Sequence, residues 1–475
     1  MSCVRVVAAF CVLLGCSTSA HAQTPMFPYS FADFTERVVA NHPVARQARL
    51  LSEQAGSAVT EAWGAFEPKL SLSIAQKTYK SQSYYSYVDA ALKIPTPIGS
   101  DFKIGFERAS GIRISPDRYT PTNGLLSLGI SVPLGQRLIT DERRTALALA
   151  RAAREIANAD QRAIVNKLLL DAAKTYGAWY AASRRFEIAE EGVRLATFRA
   201  DAVLRRVRAG DNPAIDTLEA TLEVQRRQVA RAESDNELRT AALVASSFLW
   251  DDRGRAEAIA ANAQPALEGL EQTPIDTLRL TAWLDVVSAR HPDVLKARGK
   301  LRAAEAERLL ALQGMLPFAE GTLSSIAARD DAKLLGSTSR WDNNHKAGLE
   351  VQSGLLLLKE RGKSARTRQK RDVAQLDVDI TEREVAYELR IALNDVVLLE
   401  RVIAVQRATV RGLSLLRDAE QQRFQNGEST LLIVNLRERA LLDESNKLAT
   451  LEGKIAATRG ALVVALGDAS LISGK

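Results

Sequence analysis

Few side chains in this sequence have the type and spacing that catalysis or metal binding requires. The 475 residues include four histidines and three cysteines. Two of the histidines stand in matched surroundings: His42 within Ala-Asn-His-Pro, before Pro43, and His291 within Ala-Arg-His-Pro, before Pro292. A metal ion or a general base needs partners converging on the ring, and the only other histidines are His21 and His345. A helix start or kink beside the proline explains both positions without chemistry. There is no His-Glu-x-x-His, no Gly-x-Ser-x-Gly and no glycine-rich phosphate loop after a strand. Carboxylates are many but alternate with Arg and Lys on helix faces, where solvation is the default. No enzyme, cofactor or metal centre is expected.

Two glycine turns offer a different kind of site. Residues 206–210, Arg-Val-Arg-Ala-Gly, lead through Asp211 and Pro213 to Ile215, Asp216 and Leu218. Residues 423–427, Arg-Phe-Gln-Asn-Gly, lead through Ser429 to Ile433 and Leu436. Each reads as a helix hairpin whose glycine, Gly210 or Gly427, takes the left-handed cap. Both turns belong at the same end of long hairpins, where they form an exposed tip suited to docking or gating.

The elements that carry these turns are long helices. In residues 136–213 apolar positions recur at three- and four-residue steps: Val165, Leu169, Ala172, Tyr176 and Trp179, then Phe186, Val193, Ala200, Leu204 and Val207. The stripe breaks at Ser183, Glu190 and Thr197. Only an α-helix places such a stripe on one face, and its length would be on the order of 100 Å. A helical partner is expected over 214–250. Residues 359–425 repeat the pattern through Val385, Leu389, Ala392, Val396, Leu399, Ile403, Val410 and Leu413, followed by a helix over 430–466.

Before each long helix the period falls to two, the signature of a half-buried strand. Leu70, Leu72 and Ile74 alternate with Ser71, Ser73 and Ala75; Phe102, Ile104 and Phe106 recur at the same period, as do Leu126, Leu128, Ile130 and Val132. Further strands are expected at 318–328 and 345–357. Tyr79, Tyr84, Tyr85 and Tyr87 form either an aromatic loop or an interfacial girdle. The chain thus repeats: helix, His-Pro, helix, proline, strands, long helix, glycine turn, helix. Pro68 follows His42 at the same interval at which Pro317 follows His291. The expected divisions are 1–22, 23–270 (strands about 68–133, hairpin about 136–250) and 271–475 (strands about 317–357, hairpin about 359–466).

Composition bounds the class. The chain is 46% hydrophobic, 25% charged and 5% aromatic, with a net charge of +7. The charges interleave in sign and form no basic stripe with stacking aromatics, so nucleic acid is not an expected partner. Arg5, the apolar run 6–14 and Ala20-His21-Ala22 read as a secretory signal with cleavage before Gln23. Leu13-Leu14-Gly15-Cys16 also has the form of a lipidation site. Cys3, Cys11 and Cys16 all lie in this segment, so a chain processed after Ala22 has no thiol. Beyond it, no apolar run is long enough for a membrane helix. A β-barrel is the remaining way to span a bilayer.

These features together resemble the outer-membrane efflux protein, or TolC-like, family. The carriers are the signal, the two-fold repeat, the His-Pro and proline-strand landmarks, Val132-Pro133-Leu134 before the long helix, and the glycine-turn tips. The fold so implied is mainly α with β: tandem-duplicated coiled-coil hairpins plus four or so membrane β-strands. It forms a trimeric α/β-barrel channel, with residues 251–274 and the C-terminal tail as an equatorial belt. The resemblance implies a homotrimer in outer-membrane lipid, with the helices crossing the periplasm. Its partners would be a periplasmic adaptor (membrane fusion protein) and an inner-membrane transporter, in efflux or type I secretion. In the family's tip pattern an acidic residue bonds a Tyr and an Arg of the other repeat. Asp216 fits the acidic position, whereas Phe424 and Ser429 replace the partners, and Ile433 and Leu436 replace paired pore-facing aspartates. Residues 80–123 are longer than the pattern, as an extra loop or an added hairpin. The other class open to the residues is a non-conducting periplasmic coiled-coil scaffold or adaptor.

Overall fold

A computed structural model describes residues 27–210, 213–260, 262–266, 280–329 and 344–467. The signal segment with Cys16, Asp211, part of the 251–274 connection and the last eight residues lie outside the described residues.

The chain opens with β1 (Phe27–Tyr29), α1 (Phe31–Asn41) and α2 (Pro43–Trp63). Four strands follow: β2 (Lys69–Tyr79), β3 (Gln82–Pro95), β4 (Asp101–Ser110) and β5 (Leu125–Pro133). Then come the long helix α3 (Glu142–Ala209), α4 (Ile215–Ser246) and β6 (Ala263–Pro265). The second half repeats the order with α5 (Leu280–Arg290), α6 (Pro292–Gln313), β7 (Phe318–Ala328), β8 (His345–Gln352), α7 (Leu358–Gln425) and α8 (Leu431–Leu466).

The His-Pro pairs are helix starts. His42 Nδ1 accepts the Val44 N–H at 3.2 Å and His291 Nδ1 accepts the Asp293 N–H at 3.2 Å, with Pro43 and Pro292 at the first helical position. This satisfies an orphan N–H at each helix N-terminus, and proline there forfeits nothing. His291 is buried, and its Nε2 faces the Val464 carbonyl at 3.2 Å. Among the described residues, no group of three His, Cys, Asp or Glu could hold a metal ion.

The long helices differ from the sequence expectation in two ways. The first starts at Glu142 rather than near residue 136. Gly135 lies where a Cβ would meet the Pro317 carbonyl oxygen at 2.1 Å, and Arg137 has φ 72°, so the chain turns sharply before helix begins. Asp141 then caps it, accepting the Arg144 N–H at 2.8 Å. Burial pushes the Asp141 carboxyl up, but the Arg144 backbone bond and the Arg144 and Arg143 charges outweigh it and hold it below the usual carboxylate range. Second, the buried face of α3 follows the expected stripe through Ala172, Tyr176 and Trp179, then takes Ser183, Gly192, Ala196, Arg199 and Val203. The contact line has moved one residue back from Val193, Ala200 and Leu204. A straight α-helix drifts roughly 20° per heptad against a 3.5-residue repeat, and the small residues at 181–183 and 192 let the line move.

α3 packs against α4 and α8, and α7 against α8; nearer the sheet, α2, α3, α6 and α7 lie side by side. At one point α3 and α8 touch backbone to backbone. A Cβ on Gly177 would sit 2.1 Å from the Gly453 carbonyl oxygen, and one on Gly453 would sit 2.3 Å from that of Gly177. The main core lies at this level, around Phe34, Val38, Leu168, Ala172, Tyr176 and Trp179. Tyr176 ties in the short parallel ribbon of β1 and β6: its hydroxyl donates to the Tyr29 carbonyl at 2.7 Å and accepts the Ala266 N–H at 3.0 Å.

Among the described residues the principal sheet has six antiparallel strands in the order β2-β3-β4-β5-β7-β8. The resemblance implied four. The region 80–123 is an added hairpin, because β3 pairs with both β2 and β4 over nearly its full length. Lys80 and Ser81, both at positive φ, form the two-residue turn into it, as the twist of a tight hairpin requires. Of the four tyrosines, Tyr79 ends β2 and the other three lie in β3, with Tyr85 and Tyr87 stacked at 4.7 Å. Pro68 immediately precedes β2 and Pro317 immediately precedes β7, and the Pro317 carbonyl accepts the Gln136 N–H at 2.8 Å. Arg143 links sheet to helix by bridging Asp101 and Asp141. Among the described residues no helix is long and apolar enough to cross a membrane.

Candidate functional site

The two helix hairpins end together, and their turns form the tip. Helix α3 stops because Gly210 takes φ 84°, its N–H returning to the Arg206 and Val207 carbonyls. Pro213 then starts a turn whose carbonyl accepts the Asp216 N–H at 3.1 Å. Asp216 stands in the first turn of α4, where a carboxylate is favoured by the helix dipole. In the second hairpin Gly427 takes φ 80°, and its N–H returns to the Phe424 carbonyl at 3.2 Å. Among the described residues, no atom beyond the adjoining ones lies within 4 Å of a Cβ built on either glycine, so backbone conformation, not crowding, selects glycine there.

Phe424 is buried, packed with Val203, Ala220, Leu431 and Val434 from three other helices. It therefore acts as the apolar pin of the tip. Arg206 holds it from α3: the guanidinium lies 5.0 Å from the ring centroid and donates to the Phe424 and Gln425 carbonyls at 3.3 and 3.2 Å. A cation over a ring face and on the last carbonyls of a helix is favourable on both counts. Ser429 closes the second turn from within, donating to the buried Glu420.

Behind the pin lies a buried charge pair. Arg199 Nη1 donates to Glu438 Oε2 at 2.6 Å and to Asn435 Oδ1 at 2.8 Å. Glu438 is 0% exposed and Arg199 7%. A second buried carboxylate, Glu223, meets Arg227 at 2.6 Å and Arg226 at 3.4 Å, with Arg439 at 3.8 Å. Higher on α3, Glu191 is held below its ordinary range by its hydrogen bond to Arg194.

The geometry thus brings Phe424 and both glycine turns into one tip, and gives Ser429 to Glu420. Among the cross-hairpin ties are Arg206–Phe424, Arg199–Glu438 and Glu223–Arg439, none of which the sequence singled out. A signal for Arg199 existed: it continues the Ala196, Arg199, Val203 spacing of the buried face, the place where a charge should not stand alone. On the outside of the tip, Ile215, Leu218, Leu432 and Leu436 are each more than half exposed. What this arrangement can do is hold a rigid, partly apolar end to the helical layer.

Comparison with known proteins follows the same lines. A family model described as outer membrane efflux protein matches residues 35–245 and 283–468. No curated protein matches the chain. Among solved structures, the outer-membrane channel OprN is similar at TM-score 0.63 and 16% identity, over 92% of this chain and 89% of that one. VceC of Vibrio cholerae is similar at TM-score 0.60 and 14% identity, over 92% and 96% of the two chains. The open-state MtrE channel of Neisseria gonorrhoeae is similar at TM-score 0.61 and 14% identity, over 92% and 88%.

Proposed function

The chain belongs to the outer membrane efflux protein family, and from that premise we propose that it is the passive outer-membrane duct of a tripartite export system. Three copies join edge to edge, and the helices carry the channel across the periplasm toward an inner-membrane transporter. The duct has no energy source of its own, so transport is driven from the inner-membrane side.

One observation carries this reading. The six-stranded sheet has one apolar face and one polar face, and among the described residues no strand pairs with either of its edges. Within hydrocarbon every backbone N–H and C=O needs a partner, so only a closed barrel is stable there. A sheet of six strands does not close on itself around a water-filled lumen; neighbouring copies must complete it. Helices of about 100 Å continue from the same sheet.

The tip formed by Gly210, Pro213, Asp216, Phe424, Gly427 and Ser429, with Asp211 between, is the site that docks the periplasmic adaptor. Its exposed Ile215, Leu218, Leu432 and Leu436 suit an apolar helical partner. The latch of the family's usual pattern is replaced here by the Arg206 clamp on Phe424.

Fractionation followed by planar-bilayer recording tests the duct. The expected result is a heat-sensitive trimer in the outer membrane that conducts when reconstituted. Recovery only as a soluble, non-conducting periplasmic monomer sinks the proposal and leaves a coiled-coil scaffold as the function.

A further inference from the structure

The added hairpin β3–β4 raises the question of where it sits: outside the bilayer as an extracellular flap, or inside the wall. The strand register answers through the alternation of faces. Leu70, Leu72 and Ile74 of β2 stand opposite Leu92, Ala90 and Val88 of β3. Those in turn oppose Ile104, Phe106 and Arg108 of β4, whose Ile104 and Phe106 oppose Leu128 and Leu126 of β5. The apolar face therefore runs across β3 and β4 through the rows Ile94–Phe102, Leu92–Ile104 and Ala90–Phe106, and ends at Arg108. The opposite face pairs Asp89 with Glu107 and Lys93 with Lys103. An extracellular flap has no reason to keep one face apolar and the other charged; a strand between lipid and a wet lumen does.

We propose that the β3–β4 hairpin is part of the membrane wall and that three copies of this six-stranded sheet close an eighteen-stranded barrel. This rests on the trimeric duct proposed above. The occupant of each open edge is a second copy of this chain: β8 of one meets β2 of the next. The two edges run in opposite directions in the antiparallel order, so they join with the alternation intact. Relative to twelve strands the circumference grows about 1.5-fold.

The test is cysteine accessibility in the full-length chain with Cys3, Cys11 and Cys16 replaced by serine. Ala90→Cys and Ile104→Cys place a thiol on the apolar face, and Ala91→Cys and Lys103→Cys place one on the polar face. Trimers in lipid vesicles are treated with a charged, water-soluble maleimide. The expected result is labelling at 91 and 103 and its loss at 90 and 104, with all four labelled after denaturation. Equal labelling at all four positions in intact trimers places the hairpin outside the bilayer and overturns the eighteen-stranded wall while leaving the trimer standing. Monomers in the same vesicle extracts, by contrast, overturn the trimeric duct itself.

Discussion

The Arg199–Glu438 pair makes a sharp prediction, because removing one member should cost far more than removing both. Glu438 is fully buried and Arg199 nearly so, 2.6 Å apart between α3 and α8. Breaking a buried pair from one side typically costs about 3–5 kcal/mol, since the other charge is left alone. Glu438→Leu leaves the buried guanidinium without its carboxylate, and Arg199→Met leaves the buried carboxylate without its guanidinium, so each single variant carries that penalty. Replacing both residues with Met and Leu should be close to neutral, because well-packed apolar groups often equal a buried pair. Amide hydrogen exchange of peptides around residues 199 and 438 reads local opening, and 3 kcal/mol corresponds to more than a hundredfold faster exchange. Single-variant penalties below about 1 kcal/mol, or a double variant no more stable than either single one, would falsify the burial argument.

Three further outcomes are expected. Gly210→Val and Gly427→Val force a β-branched residue into the left-handed region at φ 84° and 80°, at about 1–2 kcal/mol or more each. Local exchange at the tip should rise and cross-linking to the adaptor should fall; unchanged export in both variants counts against docking at the tip. Gly177→Ala drives a methyl toward the Gly453 carbonyl oxygen, 2.1 Å from an ideal Cβ, and should lower stability by about 1–3 kcal/mol through overpacking, measured as the melting temperature of the helical signal. Asp141→Ala removes the cap of α3 and should cost about 0.5–2 kcal/mol. Because the Asp141 carboxyl is held below its usual range, its contribution is present above pH of about 4, the unfolded value. It is lost as the pH falls through the folded value, so wild type and variant should converge in acid melts.

Much of the fold could be read from the chain, because long helices repeat their signal many times. Val385, Leu389, Ala392 and Val396 were marked by spacing alone and are buried as expected, apart from drift in the exact line. In α3 the same reading held at Ala172, Tyr176 and Trp179 but missed at Val165 and Leu169, where Asn166 and Leu168 are buried instead, and after Trp179 it slipped by one residue, where alanine and glycine replace large side chains and no single position dominates the pattern. Strand β3 was harder. Its tyrosines left a loop and an interfacial girdle both open, and Ala90 and Ala91 blur the alternation that Val88, Leu92 and Ile94 carry. The helix start at 142 was hidden because Gln136 to Thr140 offend no helical rule; the sharp turn there is set by contact with Pro317, far along the chain. At the tip, Gly210 and Gly427 were legible because a left-handed cap is a local demand. Arg206 on Phe424 and Arg199 on Glu438 were not, since each joins residues more than 200 positions apart, and periodicity within one helix says nothing about which charge it meets on another.

The meeting of Gly177 with Gly453 has a mechanical consequence. It is the place where α3 and α8 are in backbone contact, and the end of α3 at Ala209 lies about 48 Å beyond it at 1.5 Å per residue. The contact is a fulcrum and the rest of the helix is its lever arm. A change of about 5° in the crossing angle there displaces the far end by about 4 Å over that length. With no side chain between the two backbones, little at that point can be compressed, so rotation rather than separation is the soft motion. Two glycines deep in the helical layer thereby set how finely the position of the tip is controlled.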